Sequence, residues 1–494
     1  MSQFYISTPI YYVNAQPHLG HAYTTIVADS LNRWNRLAGK KTFFLTGTDE
    51  HGDKIVKAAE KNNLAPREYT DTISAQFQDL WPCMRVEYTR FIRTTDPDHI
   101  ACVQDFLQRV YDKGDIYFAE YGGHYCFGCE RFYTEKELEK GLCPDHQAAP
   151  EFIQEKNYFF RMQKYIEPLR KHIEDTPDFI QPAHYRNAVL AMLREDLGDL
   201  CISRPKSRLT WGIELPFDTD FVTYVWFDAL LNYITGLGGL ESDGYRTFWP
   251  VAQHVVAKDI LKPHVVFWLT MLLSAGLPLY QKLLVHGYWT VNETKMSKSL
   301  GNVVAPLSLA QKYGLDSFRY FLLREMNFGQ DASFSEEALV GRLNADLAND
   351  LGNLFSRTLT MTHKFLDGKV PEVASEKLAA DECAKTGQRA CANFGQLFGQ
   401  CQFARALEEL WAFVRYLNKY IDQSAPWTLH KNGETEQLRI VLRLVLKGMR
   451  KVAVLLWPVM PNNSEKMLTQ LRNMKGVRCV LSKVLSRAGL SDQQ

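Results

Sequence analysis

The first 60 residues alternate between strand-like and helix-like segments, and this alternation constrains the fold more than any other feature of the chain. Residues 4–12 (FYISTPIYY) are a β-rich run, and residues 21–37 (HAYTTIVADSLNRWNRL) repeat apolar side chains at helical spacing. A second apolar strand, residues 41–48 (KTFFLTGT), leads into a further helix. Strands that alternate with helices predict a parallel α/β sheet of the Rossmann type, which binds ligands at the carboxyl ends of its strands.

The rest of the chain divides by its local pattern. An aromatic, Cys-containing and Pro-rich stretch interrupts the alternation, α/β character then returns, and from about residue 334 apolar residues recur at three- and four-residue spacing. We therefore expect a first half-domain (1–115), an insertion (116–215), a second half-domain (216–290), a connecting region (291–341) and an all-α bundle (342–494).

Charge is unevenly distributed, although the net charge of the 494 residues is only +1. From residue 342 onward the chain carries 22 Lys and Arg against 14 Asp and Glu, a net of +8, whereas residues 1–341 carry −7. A basic bundle behind an acidic body favours a polyanionic partner for the bundle, with solvated helix faces as the alternative.

Nothing in the sequence points to a membrane or to secretion. The N-terminus lacks the pattern of a signal peptide, and the longest apolar run (265–280) is broken by Thr, Ser, Gly and Pro and falls short of a membrane span. Seven of the ten cysteines are scattered, as is typical of reduced thiols. We expect a cytoplasmic protein without membrane contact.

Residues 14–21 (NAQPHLGH) place two histidines at the start of a predicted helix. The N-terminus of a helix offers backbone N–H groups and the positive end of the helix dipole to anions. His18 and His21, three residues apart, share one face and can donate to phosphate oxygens, while Gly20 permits close backbone approach. A chance surface pair and a metal-binding pair remain alternatives.

Residues 295–302 (KMSKSLGN) form the second candidate phosphate site. Lys295, Ser297 and Lys298 precede a Gly-Asn turn, which is typical of a cationic loop that contacts phosphate oxygens. Taken alone, the segment is equally compatible with a basic surface turn.

The clustered cysteines have the spacing of a metal site. Cys126 and Cys129 form a CxxC pair, and thirteen residues separate it from the CxxH pair Cys143 and His146. Three thiolates and one imidazole predict a closed tetrahedral Zn²⁺ site with a structural role. A redox CxxC, the alternative, would not account for the second pair.

HLGH and KMSKS together resemble the signature pair of class I aminoacyl-tRNA synthetases. With TPIYYVNAQPHLGHAYTT, TGTDEHG, YVWFDALLNY, KDILKPH and VHGYWTVNETKMSKSLGN, the chain resembles the methionyl-tRNA synthetase family from about residue 3 to 430. The resemblance implies a Rossmann-type catalytic domain with an inserted zinc-knuckle domain, a region at 291–341 that carries the KMSKS loop and contacts the tRNA stem, and an anticodon-binding bundle. It also implies L-methionine, ATP with Mg²⁺, and initiator and elongator tRNA(Met) as ligands.

The resemblance assigns the phosphate chemistry to residues of three motifs. His18, His21, Lys295 and Lys298 are expected to stabilise the transition state and the leaving pyrophosphate. The ATP-binding residues implied are His18, Gly20, His21, Lys258, Asp259, Lys295, Ser297 and Lys298. The family usually has Gly where this chain has Ala257, a methyl group that can alter nucleotide affinity.

For the amino acid, the resemblance implies a pocket on one predicted helix face. Trp226, Ala229, Leu230 and Tyr233 share that face, which is otherwise typical of a core stripe. The methionine-binding residues implied are Ile10, Tyr12, Asp49, Trp226, Ala229, Leu230, Tyr233, Ile260 and His264. Asp49 is expected to hold the amino group.

Three residues of the bundle match family positions that read the CAU anticodon. These are Asn353, Arg357 and Trp427. Arg and Asn can hydrogen-bond base edges, and an exposed Trp can stack an unpaired base. A Trp packed at a helix end under a proline turn is the alternative for Trp427.

Three rival functions remain. A leucine or valine synthetase would need a larger insertion for editing, a small nucleotidyltransferase would not need the helical bundle, and a tRNA-binding paralogue would not need the lysines of KMSKS. Because the chain ends soon after the bundle, we also expect a monomer.

Overall fold

The computed structural model describes residues 2–14, 16–126, 131–133, 135, 138–144, 147–291, 294–295 and 305–474. Its strands, in chain order, are β1 (Gln3–Ser7), β2 (Tyr11–Tyr12), β3 (Lys41–Asp49), β4 (Arg90–Arg93), β5 (Ile116–Cys126), β6 (Arg131–Tyr133), β7 (Glu151–Phe160), β8 (Ile180–Gln181), β9 (Leu200–Cys201), β10 (Ser203–Pro205), β11 (Glu214–Leu215), β12 (Asp218–Thr223), β13 (Ala252–Ala257), β14 (Lys282–His286), β15 (Trp289–Val291), β16 (Thr294–Lys295) and β17 (Ala332–Phe334).

The helices fall between these strands and then take over the chain. They are α1 (Leu19–Leu37), α2 (Asp53–Lys61), α3 (Pro66–Cys83), α4 (Pro97–Asp112), α5 (Ile166–Asp175), α6 (Ala183–Met192), α7 (Val225–Ala229), α8 (Asn232–Thr235), α9 (Asp243–Phe248), α10 (Trp268–Ala275), α11 (Pro306–Tyr313), α12 (Leu315–Glu325), α13 (Glu336–Arg342), α14 (Asn353–Leu366), α15 (Ser375–Ala380), α16 (Glu382–Gly399), α17 (Phe403–Ser424), α18 (Pro426–Lys431), α19 (Thr435–Leu456) and α20 (Pro461–Asn473). Two π-helical segments, Pro263–Phe267 and Leu343–Gly352, lead directly into α10 and α14.

The chain separates into two compact units. The sheet unit comprises residues 3–17 and 43–285, and the helical unit comprises residues 1–2, 18–42 and 286–494. The helix that begins with HLGH therefore groups with the helical unit. Among the described residues, no helix is both long and apolar enough to cross a membrane.

The sheet unit is organised by a sheet in the order β2-β3-β1-β13-β14-β8, with β4 also paired to β3. The pairs β1–β13, β2–β3, β3–β4 and β8–β14 are parallel, as the strand–helix alternation predicts. Parallel strands direct their carboxyl ends to one edge, so the residues after β1, β2, β3 and β13 lie along that edge.

The interior of the sheet unit is apolar and fully enclosed. Tyr5, Leu45, Val256 and Leu283 of four sheet strands are each 0% exposed and belong to one continuous core. Strands that are buried on both faces have continuous apolar sequences rather than alternating ones. The sequence therefore indicates such strands by the length of the apolar run and by the turn residues that flank it.

The insertion between the sheet strands is itself a β structure. In it, β6, β5, β7 and β9 form one antiparallel sheet, and β10, β12 and β11 form a second. The long pair β5–β7 runs in register from Ile116↔Phe160 to Tyr125↔Glu151 and carries Cys126 at its far end.

The helical unit packs its long helices around buried aromatic residues. Trp411 of α17 is fully buried, its Nε1 donates to the carbonyl oxygen of Asp346 at 3.2 Å, and its ring lies 4.7 Å from that of Tyr320 on α12. The predicted all-α character from about residue 334 is confirmed: β17 ends at Phe334 and helices follow to Asn473.

A buried ion cluster fixes the first helix within the helical unit. Asp29 of α1 accepts from Arg33 at 2.9 Å and from Arg319 of α12 at 2.6 Å, and all three side chains are 0% exposed. Arg319 also donates to the carbonyl oxygens of Pro458 and Val459, both at 3.0 Å. Removing one partner of such a cluster typically costs about 3–5 kcal/mol, because a buried charge is left uncompensated. The start of α1 is therefore carried on a rigid support.

Candidate active site

Both histidines of HLGH cap the helix that they begin. His18 is the N-cap of α1: its Nδ1 accepts from the backbone N–H of Gly20 at 3.1 Å, and Nδ1 of His21 accepts from the backbone N–H of His18 at 3.2 Å. The rings are stacked, with centroids 3.7 Å apart and an interplanar angle of 21°. The prediction that the two imidazoles share one face is confirmed.

The cap also fixes the tautomer of both rings. Because each Nδ1 accepts from an N–H group, each neutral ring carries its hydrogen on Nε2. Burial, followed by the proximity of His18, holds the pKa of His21 well below its usual value. His21 can therefore act as a neutral hydrogen-bond donor at neutral pH, and Nε2 is the free donor position of both rings.

The presence of glycine at position 20 has a steric reason that the sequence alone did not reveal. A Cβ atom at this position would lie 3.0 Å from Cε1 and 3.1 Å from Nδ1 of the His18 ring. A side chain would therefore push against the imidazole that caps the helix. Glycine here protects the geometry of His18.

His286 is a second anchor of the same helix start, and the sequence reasoning assigned it no role. Its Nδ1–H donates to the carbonyl oxygen of Gly287 at 2.7 Å, so its Nε2 accepts from the hydroxyl of Thr24 at 2.8 Å. Thr24 also lies 3.1 Å from the carbonyl oxygen of Gly20. The VHGYWT stretch was the available signal, since it places this histidine at the end of a strand.

In the sheet unit, three of the predicted methionine residues, Tyr233, His264 and Ile260, form a buried hydrogen-bonded chain. Nδ1–H of His264 donates to the carbonyl oxygen of Ile260 at 2.7 Å, so its Nε2 accepts from the hydroxyl of Tyr233 at 2.7 Å. Both side chains are 1% exposed. Burial lowers the pKa of His264 to about 4. Tyr233 and His264 thus form one wall of the predicted methionine site, and this wall is aromatic and uncharged.

Other aromatic rings extend this wall. Trp226 meets His264 edge-on with ring centroids 6.2 Å apart, and Tyr233 stacks on His254 at 3.9 Å. Burial and the proximity of His264 hold the pKa of His254 well below its usual value. Leu230 belongs to the apolar core of the sheet unit, Ile10 and Ile260 pack against that core, and Ala229 is buried.

The prediction that Trp226, Ala229, Leu230 and Tyr233 lie on one continuous helix is wrong. The segment forms two short helices, α7 and α8, separated by a turn at Leu230 and Leu231. Both turn residues keep right-handed helical angles (φ −67°, ψ −21° and φ −70°, ψ −14°), so the chain tightens without reversing. Single-residue periodicity cannot distinguish such a tight turn from a continuous helix.

Polar predicted residues follow the strand ends of the same unit. Tyr12 and Asp49 are partners in the β2–β3 register, and Asp49 is 7% exposed. Lys258 and Asp259 directly follow β13 in a 3₁₀ turn. Ala257 has φ −79° and ψ 156°, an extended conformation that any residue adopts, so its backbone does not require glycine.

Asp228 and two histidines form a buried network that the sequence reasoning missed. Asp228 of α7 accepts from Nδ1 of His51 and from Nε2 of His99, both at 2.7 Å, and is 1% exposed. Burial raises the pKa of Asp228, but the two histidines lower it further, so the pKa lies below its usual value. His51 lies two residues after Asp49, so the carboxylate ties the end of β3 to the helix of Trp226.

The intervening Glu50 is fixed as firmly. It accepts from Nε and Nη2 of Arg93 at 2.7 and 2.8 Å and from the hydroxyls of Thr48 and Thr95 at 2.7 and 2.6 Å. The indole of Trp211 donates to its carbonyl oxygen at 2.6 Å. The D-E-H part of TGTDEHG is therefore a rigid segment on which Asp49 is held.

Two of the four predicted zinc ligands lie among the described residues. Cys126 and Cys143 are 4% and 0% exposed and pack with Tyr133 in one small cluster, where Sγ of Cys143 lies 3.5 Å from the Tyr133 hydroxyl. Cys129 and His146 lie outside the described residues. Two buried sulfurs that share one cluster fit a thiolate-rich metal site. In the part of the chain that the structure describes, no group of three ligating side chains is present.

The KMSKS loop is described only at its start. The backbone of Lys295 lies in β16 and pairs with Thr290 of β15. Ser297 and Lys298 lie outside the described residues. The position of this loop in the phosphate chemistry therefore stays a prediction.

The predicted anticodon residues lie on two adjacent helices of the helical unit. Asn353 begins α14 and is exposed, and Nη2 of Arg357 donates to Asp422 at 2.6 Å. Trp427 of α18 is 46% exposed. The stacked rings of Phe365 and His430, 4.6 Å apart, hold α14 beside α18. An exposed indole can stack on an unpaired base, and a guanidinium can hydrogen-bond a base edge.

Comparisons with known proteins agree over nearly the whole chain. Residues 4–150 and 146–359 match the family of tRNA synthetases class I (M), and residues 369–480 match the anticodon binding domain of methionyl tRNA ligase. The methionine–tRNA ligase of Caldanaerobacter subterraneus is 45% identical over 95% of this chain and 74% of its own length, and that of Deinococcus radiodurans is 48% identical over 95% and 70%. Mycobacterium tuberculosis methionyl-tRNA synthetase in complex with methionyl-adenylate superposes with a TM-score of 0.92 at 38% identity, covering 99% of this chain and 97% of that one.

Proposed function

The chain belongs to the methionyl-tRNA ligase family of class I tRNA synthetases, and on this premise we propose that it joins L-methionine to tRNA(Met) at the expense of ATP. In the first step the methionine carboxylate attacks the α-phosphate of ATP, which forms methionyl-adenylate and releases pyrophosphate. In the second step a hydroxyl of the 3′-terminal ribose of the tRNA takes the methionyl group, and AMP leaves.

One observation carries the choice of amino acid: the buried and uncharged chain from Tyr233 through His264 to the carbonyl oxygen of Ile260. Both ring nitrogens of His264 take part in hydrogen bonds, and its low pKa keeps the ring neutral. The wall therefore presents no charge to a bound apolar side chain. Aromatic groups suit a thioether, because sulfur–aromatic contacts contribute about 0.3–1.5 kcal/mol each. Asp49 is the residue that we assign to the ammonium group.

Ile10, Tyr12, Trp226, Ala229 and Leu230 are assigned to the rest of the methionine site. Tyr12 adjoins Asp49 in the β2–β3 register, which supports a shared role at the strand ends. The aromatic and aliphatic members supply the shape of the pocket, since a hydrophobic pocket discriminates by volume at about 1–3 kcal/mol per methylene.

Activation requires no general base, because the attacking carboxylate is already ionised. The chain's task is to position the reactants and to stabilise the charge that develops on phosphate oxygens. We assign this task to His18 and His21, because Nδ1 of each ring accepts from a backbone N–H group and Nε2 remains the donor position. Losing one preorganised donor typically lowers the rate by about 10²–10³.

The remaining phosphate-binding residues rest on the family pattern. Lys295, Ser297 and Lys298 are assigned to the leaving pyrophosphate, and Gly20, Lys258 and Asp259 to ATP. Mg²⁺ bound with ATP would neutralise part of the phosphate charge. The position of Lys258 and Asp259 directly after β13 supports their assignment, because ligands bind at strand ends.

A structural Zn²⁺ is proposed for the insertion, held by Cys126, Cys129, Cys143 and His146. The burial of both described cysteines in one cluster supports it. When bound, the metal would cross-link the two knuckles and stabilise the fold of this region. Elemental analysis should find one zinc per chain, and Cys143→Ser should remove it.

The helical unit is proposed to read the CAU anticodon through Asn353, Arg357 and Trp427. The exposure of Trp427 and the net charge of +8 from residue 342 onward support this role. We further propose the division 1–115, 116–215, 216–290, 291–341 and 342–494, a cytoplasmic location and a monomeric state. A dimer in analytical ultracentrifugation at micromolar concentration would contradict the last of these.

ATP–pyrophosphate exchange with each of the twenty amino acids tests the proposal, with His21→Ala as the control. We expect exchange with methionine alone and a loss of about 10²–10³ in the variant. Exchange with leucine or valine would refute the reading of the pocket. No exchange with any amino acid would favour a tRNA-binding paralogue.

A further inference from the structure

A cavity of about 560 Å³ lies in the helical unit, between α15, α16 and α19. Its walls are apolar at Leu378, Cys391 and Leu455 and cationic at Lys447, Arg450 and Lys451, and no carboxylate lines it. We call it the cationic cavity. None of the residues assigned to methionine, ATP, zinc or the anticodon takes part in it.

All three cations lie on the same helix, α19. Within the described residues, no carboxylate forms an ion pair with Lys447, Arg450 or Lys451. Other cations of the same helices do find partners: Lys377 pairs with Glu436 at 2.9 Å and Arg389 with Glu382 at 2.6 Å. The cavity therefore concentrates positive charge that the described part of the chain does not neutralise with an ion pair.

The cations around the cavity repel one another. Burial, followed by the proximity of Arg443 and Lys451, lowers the pKa of Lys447, and burial and Arg443 lower the pKa of Arg450. Lys447 is exposed, whereas Arg450 and Lys451 are half-buried, and a half-buried charge without a counter-charge costs stability. An anion in the cavity would remove this cost.

The shape and walls of the cavity restrict what kind of anion fits. Its volume lies within the range of about 300–1,000 Å³ that is typical of small-molecule pockets, and such pockets combine apolar walls with a few polar groups. A ribose–phosphate backbone has no apolar body to cover Leu378 and Leu455. The residues assigned to the anticodon lie on α14 and α18, which do not line the cavity.

We propose that the cationic cavity binds a small organic anion, whose apolar body fills the space between the three helices and whose carboxylate, phosphate or sulfonate group pairs with Lys447, Arg450 and Lys451. The ligand contacts the cations on α19 and the apolar residues of α15 and α16 at once. Binding therefore fastens α15 to the bundle.

Two fluorescent probes with nearly the same apolar body test the proposal on the full chain. 8-Anilinonaphthalene-1-sulfonate carries the anion, and N-phenyl-1-naphthylamine lacks it. We expect one saturable site for the sulfonate and at least tenfold weaker binding of the neutral probe. Equal affinities would refute the proposal, because the cations would then contribute nothing.

Matched charge variants locate the effect. Arg450→Gln with Lys451→Gln should weaken sulfonate binding at least tenfold and leave the neutral probe unchanged, whereas Lys377→Gln and Arg389→Gln, which remove ion-paired cations outside the cavity, should change neither. Methionine-dependent exchange and the melting temperature of the double variant should be at least those of the parent. A lower melting temperature would show that the cations are structural, and would refute the proposal.

Alkylation at Cys391 reports on the cavity directly, since this thiol lines it. Bound sulfonate should slow the reaction of iodoacetamide with Cys391, read by peptide mass spectrometry, and leave the exposed Cys83 of α3 unchanged. Unchanged labelling of Cys391 would overturn the proposal. Displacement of the probe by tRNA(Met), with a raised KM for tRNA in the double variant, would instead assign the cations to RNA.

Discussion

Asp228→Asn is the substitution that most sharply tests how the methionine residues are positioned. The carboxylate accepts one hydrogen bond from His51 and one from His99, each at 2.7 Å. Hydrogen bonds to charged groups contribute about 1.5–3 kcal/mol, and a buried donor left unsatisfied costs about 1–3 kcal/mol. An amide keeps one acceptor oxygen and presents an N–H group to the other ring. We expect a loss of about 2–4 kcal/mol in the free energy of unfolding.

The same substitution should reach the catalytic step. Asp228 ties the segment of Asp49 to the helix of Trp226, so a loosened carboxylate misplaces both groups assigned to methionine. We expect kcat/KM for methionine in ATP–pyrophosphate exchange to fall at least tenfold, while the KM for ATP changes by less than about threefold, because only binding contacts to methionine are displaced.

Asp243→Asn is the matched control. Asp243 forms only a surface ion pair with Arg246, with side chains that are 96% and 59% exposed. Its loss should change stability by less than about 0.5 kcal/mol. Urea unfolding of the two variants and of the parent measures these changes in the free energy of unfolding. If Asp228→Asn unfolds within 0.5 kcal/mol of the control, about the spread expected for surface changes, the reasoning is refuted.

Three further outcomes follow from the geometry. Gly20→Ala should lower exchange about tenfold or more with little loss of stability, since the new methyl group pushes against the His18 ring; parent-like exchange would contradict this. Asp422→Asn should lower the KM for tRNA by releasing Arg357, while Arg357→Ala raises it and neither changes exchange; an altered exchange rate would place the pair elsewhere. His264 is held neutral with a pKa of about 4 against about 6.5 when unfolded, so the unfolded state binds more protons between these values. Stability should fall by about 3 kcal/mol as pH drops through that window, and less in His264→Gln; equal pH slopes in urea unfolding would refute the assignment.

Much of the fold could be predicted because local signals agree with the global topology. The strand–helix alternation of residues 3–60 predicted β1, β3 and α1, and the parallel registers of β1–β13 and β3–β4 confirm the sheet type. Apolar spacing of three and four residues predicted the long helices of the bundle. Such patterns survive because each helix buries one face, as α17 and α19 do.

The site was predictable only where a motif carried it. HLGH placed His18 and His21 together, but the stacking of the rings and the reciprocal cap depend on side-chain rotamers that no spacing encodes. Asp228 and His99 are 129 residues apart in sequence and meet only in the folded core. No periodicity links such residues, which is why the network behind Asp49 could not be predicted.

The tight turn inside residues 226–233 shows a further limit. Leu230 and Leu231 keep helical backbone angles, so the apolar pattern continues through a break in the hydrogen-bond ladder. Periodicity therefore predicted one continuous helix where the chain forms two short ones. The buried hydroxyl of Tyr233, on the second of these helices, donates to Nε2 of His264.

Acylation of a mixed tRNA pool by the full chain tests whether the protein joins methionine to tRNA(Met). The pool is incubated with ATP and all twenty amino acids, and the ester formed is identified by mass spectrometry of both the amino acid and the tRNA. We predict an ester of methionine, and of methionine alone, on tRNA with a CAU anticodon. An ester of leucine or valine on its own tRNA, or no ester at all, would contradict the proposed function.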